Sequence, residues 1–77
     1  MASNYHRSGT GNDIVTFPKP INYLNINVES GVTFQISFDG GTNYLTIPSG
    51  FYNFGVGLVS ELHIGATGAW QLVAVQG

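Results

Sequence analysis

Along most of this chain apolar residues recur at every second position, and no stretch shows helical spacing with caps. Val32, Phe34, Ile36 and Phe38 alternate with Thr33, Gln35 and Ser37, the period expected of a strand with one buried face. In Ile21–Glu29 the same alternation sets Leu24, Ile26 and Val28 on one face and Asn25 and Asn27 on the other. Shorter strands are predicted at 13–17 (DIVTF), 43–47 (NYLTI), 51–56 (FYNFGV) and 70–76 (WQLVAVQ). One more is predicted over 58–64, with Leu58, Leu62 and Ile64 on one face and Glu61 and His63 on the other. Breakers separate the strands: Pro18-Lys19-Pro20, Ser30-Gly31, Asp39–Thr42, Pro48-Ser49-Gly50 and the GATGA run 65–69. Proline removes a ladder donor, and glycine supplies the positive φ of tight turns. About seven short strands with frequent turns predict an all-β fold, a small antiparallel β-sandwich or barrel, jelly-roll-like. Phe34, Phe38 and Trp70 are the aromatic core candidates.

Residues 1–12 carry no such pattern. They are polar and read as a flexible N-terminal arm ahead of a single domain at 13–77. Within the arm, Tyr5, His6 and Arg7 are candidates for contact with a partner, together with Tyr23 and Tyr52 in the domain. The segment MASNYHRSGTGND has no apolar core, so it does not read as a secretory signal, and the leading Met1 fits an untrimmed start. No run approaches the roughly 18 apolar residues of a membrane-spanning helix.

Composition sharpens this picture. Charged residues make up 8% of the 77, against roughly 25% in ordinary soluble domains. So neutral a surface suits a chain packed against neighbours. With Arg7 and Lys19 as its only fixed positive charges and a net charge of −2, the chain is not expected to bind nucleic acid or an anionic membrane. There is no cysteine, which rules out a disulfide framework and thiolate metal ligands. A core this small gains from a partner chain, so a homo-oligomer is expected.

Candidate chemistry is sparse. Glu61 and His63 share a strand face, but a metal site or an acid–base centre needs a further group. No nucleophile elbow, P-loop or HExxH motif is present. The expectation is a structural or binding protein, not an enzyme, with no cofactor. Tyr23, Tyr44, Tyr52 and Trp70 could instead form a platform for sugar rings, making a glycan the alternative partner.

Two resemblances add to this. Ser37-Phe38-Asp39-Gly40-Gly41-Thr42-Asn43-Tyr44 resembles the Asp box, the S-x-D-x-G-x-x-aromatic hairpin of sialidases and related propellers. Ser37, Asp39, Gly41 and Tyr44 match, and Asn43 stands where threonine is usual. The resemblance implies a structural turn, with Asp39 accepting turn amides and Tyr44 packed beneath, and none of the sialidase chemistry. Over residues 21–77, the order ISFDGG, IPSGF, LHIGATG, WQLVAVQ is similar to small virion proteins of tailed bacteriophages. That similarity implies a capsid decoration or cement subunit located in the virion. Its partners would be the major capsid protein or other virion proteins, with a neck or tail component as the variant within the class.

Overall fold

A computed structural model describes residues 3–76. Six strands are present: β1 (Ser3–Thr10), β2 (Asp13–Val28), β3 (Phe34–Ser37), β4 (Leu45–Ile47), β5 (Gly50–Ala66) and β6 (Ala69–Gln76). They form one antiparallel sheet in the order β1-β6-β2-β5-β3-β4. The pairings are nested. First meets last, second meets fifth and third meets fourth. This is the rolled-up arrangement of a jelly roll, with fewer strands.

The sheet does not lie flat. Seventeen residues of straight strand would run about 56 Å, yet the longest dimension of the molecule is 36 Å. The bend is visible in the register of β2 against β5. Thr16 faces Glu61 and Ile21 faces Val59, and Tyr23 then faces Gly55. β2 therefore carries extra residues at Phe17–Pro20, and β5 carries extra residues at Val56–Leu58. Bulges of this kind bend and twist a sheet. Pro18 and Pro20, which cannot donate to a ladder, sit at the corner. The backbone amide of Lys19 there donates to Gln76 Oε1 at 3.1 Å, and Gln76 Nε2 donates to Ser3 Oγ at 3.0 Å.

The corner divides the sheet into two leaves that share β2 and β5. The first leaf holds β1, β6, Ile21–Val28 and Gly50–Val59. The second holds Asp13–Thr16, Glu61–Ala66, β3 and β4. Their inward rows form one core: Leu24, Ile26, Val28, Trp70, Leu72 and Ala74 from the first leaf, and Val15, Phe34, Ile36, Leu62 and Ile64 from the second. Phe34 and Trp70 meet across it with ring centroids 6.0 Å apart. The all-β sandwich class expected from the alternation is the observed one.

Differences from the sequence reading have physical causes. The strands expected at 13–17 and 21–29 are one strand, and so are those at 51–56 and 58–64, because the breakers between them act as bulges. The segment expected as an arm is strand β1 over residues 3–10, hydrogen-bonded to β6; Met1 and Ala2 lie outside the described residues. A ladder needs backbone groups and no apolar side chains, so polarity hid this strand. Its inward row is nevertheless fitted. Tyr5 packs edge-on against Phe17 with centroids 5.3 Å apart. Gly9 lies against Trp70, where a Cβ would come within 2.8 Å of the ring. Trp70 Nε1 donates to the Gly11 carbonyl at 2.9 Å. Phe38 is 37% exposed because β3 ends at Ser37, and Leu58 is 77% exposed because it sits on the β5 bulge.

Candidate interaction surfaces

Strand register fixes what each leaf shows to solvent. The outward face of the first leaf is built from rows running across β1, β6, β2 and β5. One row is Ser8, Gln71, Asn27, Phe51. The next is His6, Val73, Asn25, Asn53, and the third is Asn4, Val75, Tyr23, Gly55. None of the six Asp, Glu, Lys and Arg residues lies in these rows. The amides are partly ordered: Asn25 Nδ2 donates to the Val73 carbonyl at 3.3 Å, and the Tyr23 hydroxyl donates to Asn53 Oδ1 at 3.0 Å. Phe51, 66% exposed, stands at one side of the face. Beside it is a shallow depression of 250 Å³ that includes Asn25, Asn27 and Gln71.

Of the five expected interface residues, His6 and Tyr23 are on this face. Tyr5, Arg7 and Tyr52 are not; they point to the inward side. Arg7 Nε and Nη2 both donate to Asp13 Oδ2, at 3.1 and 2.8 Å. The hydrogen bond to Asp13 is the main reason the guanidinium pKa lies above its ordinary value. This contact ties β1 to the start of β2. The Tyr52 hydroxyl donates to the Ser49 carbonyl at 3.2 Å. Phe51, Asn53 and Gln71 carry the face but were not singled out in sequence. Their signal was present in the outward parity set by Asn25 and Asn27, and it becomes readable only once the pairing of β2 with β5 and β6 is known.

The outward face of the second leaf is concave. Its groove of about 620 Å³ runs over Gly65, between Ile14 on one side and Tyr44 on the other, with Gln35, Thr33 and His63 in the lining. Glu61 Oε1 and His63 Nε2 are 2.7 Å apart. Among the described residues no three His, Asp or Glu side chains gather as metal ligands.

The hairpin after β3 borders this groove. Ser37 Oγ donates to Asp39 Oδ1 at 2.7 Å and accepts the Gly41 amide at 2.9 Å. Asp39 accepts the backbone amide of Asn43 at 2.9 Å and its side-chain amide at 2.7 Å. These bonds from Asn43, followed by the one from Ser37, hold the Asp39 carboxyl down at about 2. Asn43, the departure from the Asp-box pattern, thus adds a bond of its own to the aspartate. Gly40 and Gly41 take positive φ of 76° and 92°. Tyr44 is 45% exposed and is not buried beneath the turn. A Cβ at Gly41 would sit 3.3 Å from the Tyr44 hydroxyl and 3.5 Å from His63 Nδ1, so the hairpin and the Glu61–His63 pair form one neighbourhood.

No protein-family model matches the chain, and no curated protein matches it in sequence. Solved structures resemble it in their course through space. The C-terminal domain of A223, a structural protein from Sulfolobus turreted icosahedral virus, is similar at a TM-score of 0.51 and 15% identity, over 97% of this chain and 99% of that one. FeII HppE is similar at 0.55 and 13%, over 99% of this chain and 43% of that one. PliG of Aeromonas hydrophila, a periplasmic inhibitor of g-type lysozyme, is similar at 0.49 and 12%, over 97% and 86%. For the first two, at these identities, what is shared is the fold.

Proposed function

We propose that the chain is a structural protein of a virion, a decoration or cement subunit that docks on a capsid through the outward face of its first leaf and bridges neighbouring shell subunits. The observation that carries this is the face itself, a sheet surface without Asp, Glu, Lys or Arg, made of amides, small apolar residues and exposed Phe51. Interface centres are depleted of charge and enriched in aromatic residues. The similarity to a viral structural domain along nearly the whole of both chains supports the class. Its tailed-phage setting rests on the order of turns and strands in the sequence.

Size shapes how such a subunit would bind. Four strands by three rows present roughly 400 Å² of flat area, about half of what one partner contributes to a standard interface. Single copies would therefore hold weakly, and occupancy would come from many linked copies. No catalysis and no cofactor are part of this assignment.

The test is co-sedimentation of the purified chain with virions from its source culture, alongside a Phe51→Asp variant. The chain should pellet with particles, and the variant should lose most of that binding while keeping its far-UV circular dichroism. A chain that stays in the supernatant, or a variant that binds as well as the parent, refutes docking through this face.

The groove on the second leaf favours a second reading, a glycan-binding host-recognition module. It offers Tyr44 for stacking and Gln35, Thr33 and His63 as hydrogen-bonding groups. Trp70, 1% exposed, cannot take part, so its fluorescence is a poor reporter. Amide shifts of Gln35, Tyr44 and Gly65 across a glycan panel test the idea, and no shift at millimolar sugar argues against it.

A further inference from the structure

Besides the outer sides of β1 and β4, part of β5 forms an open margin of the first leaf among the described residues. Along Gly50–Val59, β5 pairs with β2 on one side only, and β3 reaches β5 first at His63. Among the described residues, the other row of backbone donors and acceptors is therefore open. The side chains agree. Tyr52, Phe54 and Val56 pack against the core yet remain half-buried, whereas Trp70, Leu72 and Ala74 in the inward row of β6 are buried. Natural sheets guard open edges with lysine, proline or inward charge. From Ser49 to Ser60 there is no charged residue and no proline. The bulge at Val56–Leu58 confines the regular part of this edge to Gly50–Gly55.

We propose that this edge pairs with the same edge of a second copy, antiparallel, about a two-fold axis at Asn53. In such a seam Tyr52 faces Phe54 of the second copy, and Phe51 faces its Gly55. The first pairing continues the core across the seam with two aromatic rings. The second lays an aromatic ring over the backbone that a glycine leaves bare. Centring the axis on Phe54 would set Tyr52 opposite Val56 and Phe51 opposite Gly57, inside the bulge, and centring it on Tyr52 would drive the pairing into the Pro48–Ser49 turn. The seam joins two four-stranded leaves into one eight-stranded sheet. It also makes the two neutral outward faces continuous, about 800 Å² in all. The seam deepens the virion-subunit reading, which takes its docking face from the same leaf, but it is tested without any particle.

The chain has no cysteine, so a single introduced thiol reports on one position. Residues directly opposed in an antiparallel pair have Cα atoms about 4.5–5.5 Å apart, within the reach of a disulfide. Asn53→Cys should therefore oxidise to a covalent dimer at least about tenfold faster than Ser8→Cys, an outward position on β1, because paired thiols stand at millimolar effective concentration. Equal rates for the two variants overturn the seam. Light scattering of the parent chain should give a dimer, and Phe51→Lys should give a folded monomer; a monomeric parent, or a dimer that survives the lysine, also overturns it. A dimer that ignores particles would sink the proposed function and leave the seam standing, and particle binding by a monomer would do the reverse.

Discussion

Gly9→Ala separates a docked first strand from a loose leader by whether it destabilises the fold. In the structure the added methyl would come within 2.8 Å of Trp70 Cζ2 and 3.1 Å of Cε2. Trp70 is held between Phe34 and the Gly11 carbonyl, so it cannot swing aside freely. Overpacking of this kind costs about 1–3 kcal/mol. Were residues 3–10 unattached, the same change would be neutral, because it would restrict the folded and the unfolded chain alike. With a urea m-value of about 1 kcal/mol/M for a small domain, the docked strand predicts a midpoint lower by about 1–3 M. Total stability for this length is about 4–12 kcal/mol, so the variant remains measurable. As an edge strand, β1 can also yield by fraying, which caps the global loss at its own docking energy. Amide exchange of residues 3–10 in the variant should then rise before that of β2. A Trp70→Phe background retracts the ring edge, and the cost of Gly9→Ala should fall there by about 1 kcal/mol in a double-mutant cycle. An unchanged or raised midpoint in the parent background would falsify the docking of β1.

Other outcomes follow from the hairpin. Ser37→Ala removes a fully buried hydroxyl that serves both Asp39 and the Gly41 amide, and should destabilise by about 1–3 kcal/mol in chemical denaturation. Because the Asp39 carboxyl is held at about 2 against an ordinary 3.8, its contribution is complete above pH 4 and is lost as pH falls through 2. Amide shifts of Asn43 followed by NMR should titrate near that lower value, and Asp39→Asn should abolish the titration. Asn43→Thr, which restores the usual Asp-box residue, deletes the 2.7 Å side-chain bond, and the Asp39 pKa should move upward.

Where the chain alternates without interruption, the structure is legible in it. Phe34 and Ile36 are buried with Gln35 outward, and Leu24, Ile26 and Val28 are buried with Asn27 outward. Trp70 stood both as a core residue and as part of a sugar platform, and the structure buries it. What stayed hidden depends on long-range pairing. Pro18 and Pro20, or Gly55 and Gly57, look locally like ends of strands. They become bulges because β2 and β5 must serve both leaves. Strand β1 could not be seen because its inward row is Tyr5, Arg7 and Gly9, each chosen by what lies opposite in space: Phe17, Asp13 and Trp70. The Asp-box hairpin was readable from its own eight residues, since its bonds are all local. Its position beside His63 was not, because that depends on β3 pairing with β5.

The nesting of the strands also dictates a schedule. β3 and β4 are separated by a short turn and can close early, whereas β1 pairs with β6, some sixty residues further along the chain. During synthesis the first of these six strands to emerge is thus the last to be placed. Until then Trp70 has neither the Gly11 carbonyl nor Gly9 against it, and the inward row of β6 lies open. Closing so long a loop late is slow and exposes apolar surface meanwhile. In a chain with so little charge to keep copies apart, high expression should favour tangled neighbours over single molecules, and slower translation or cooler growth should raise the yield of correctly closed protein.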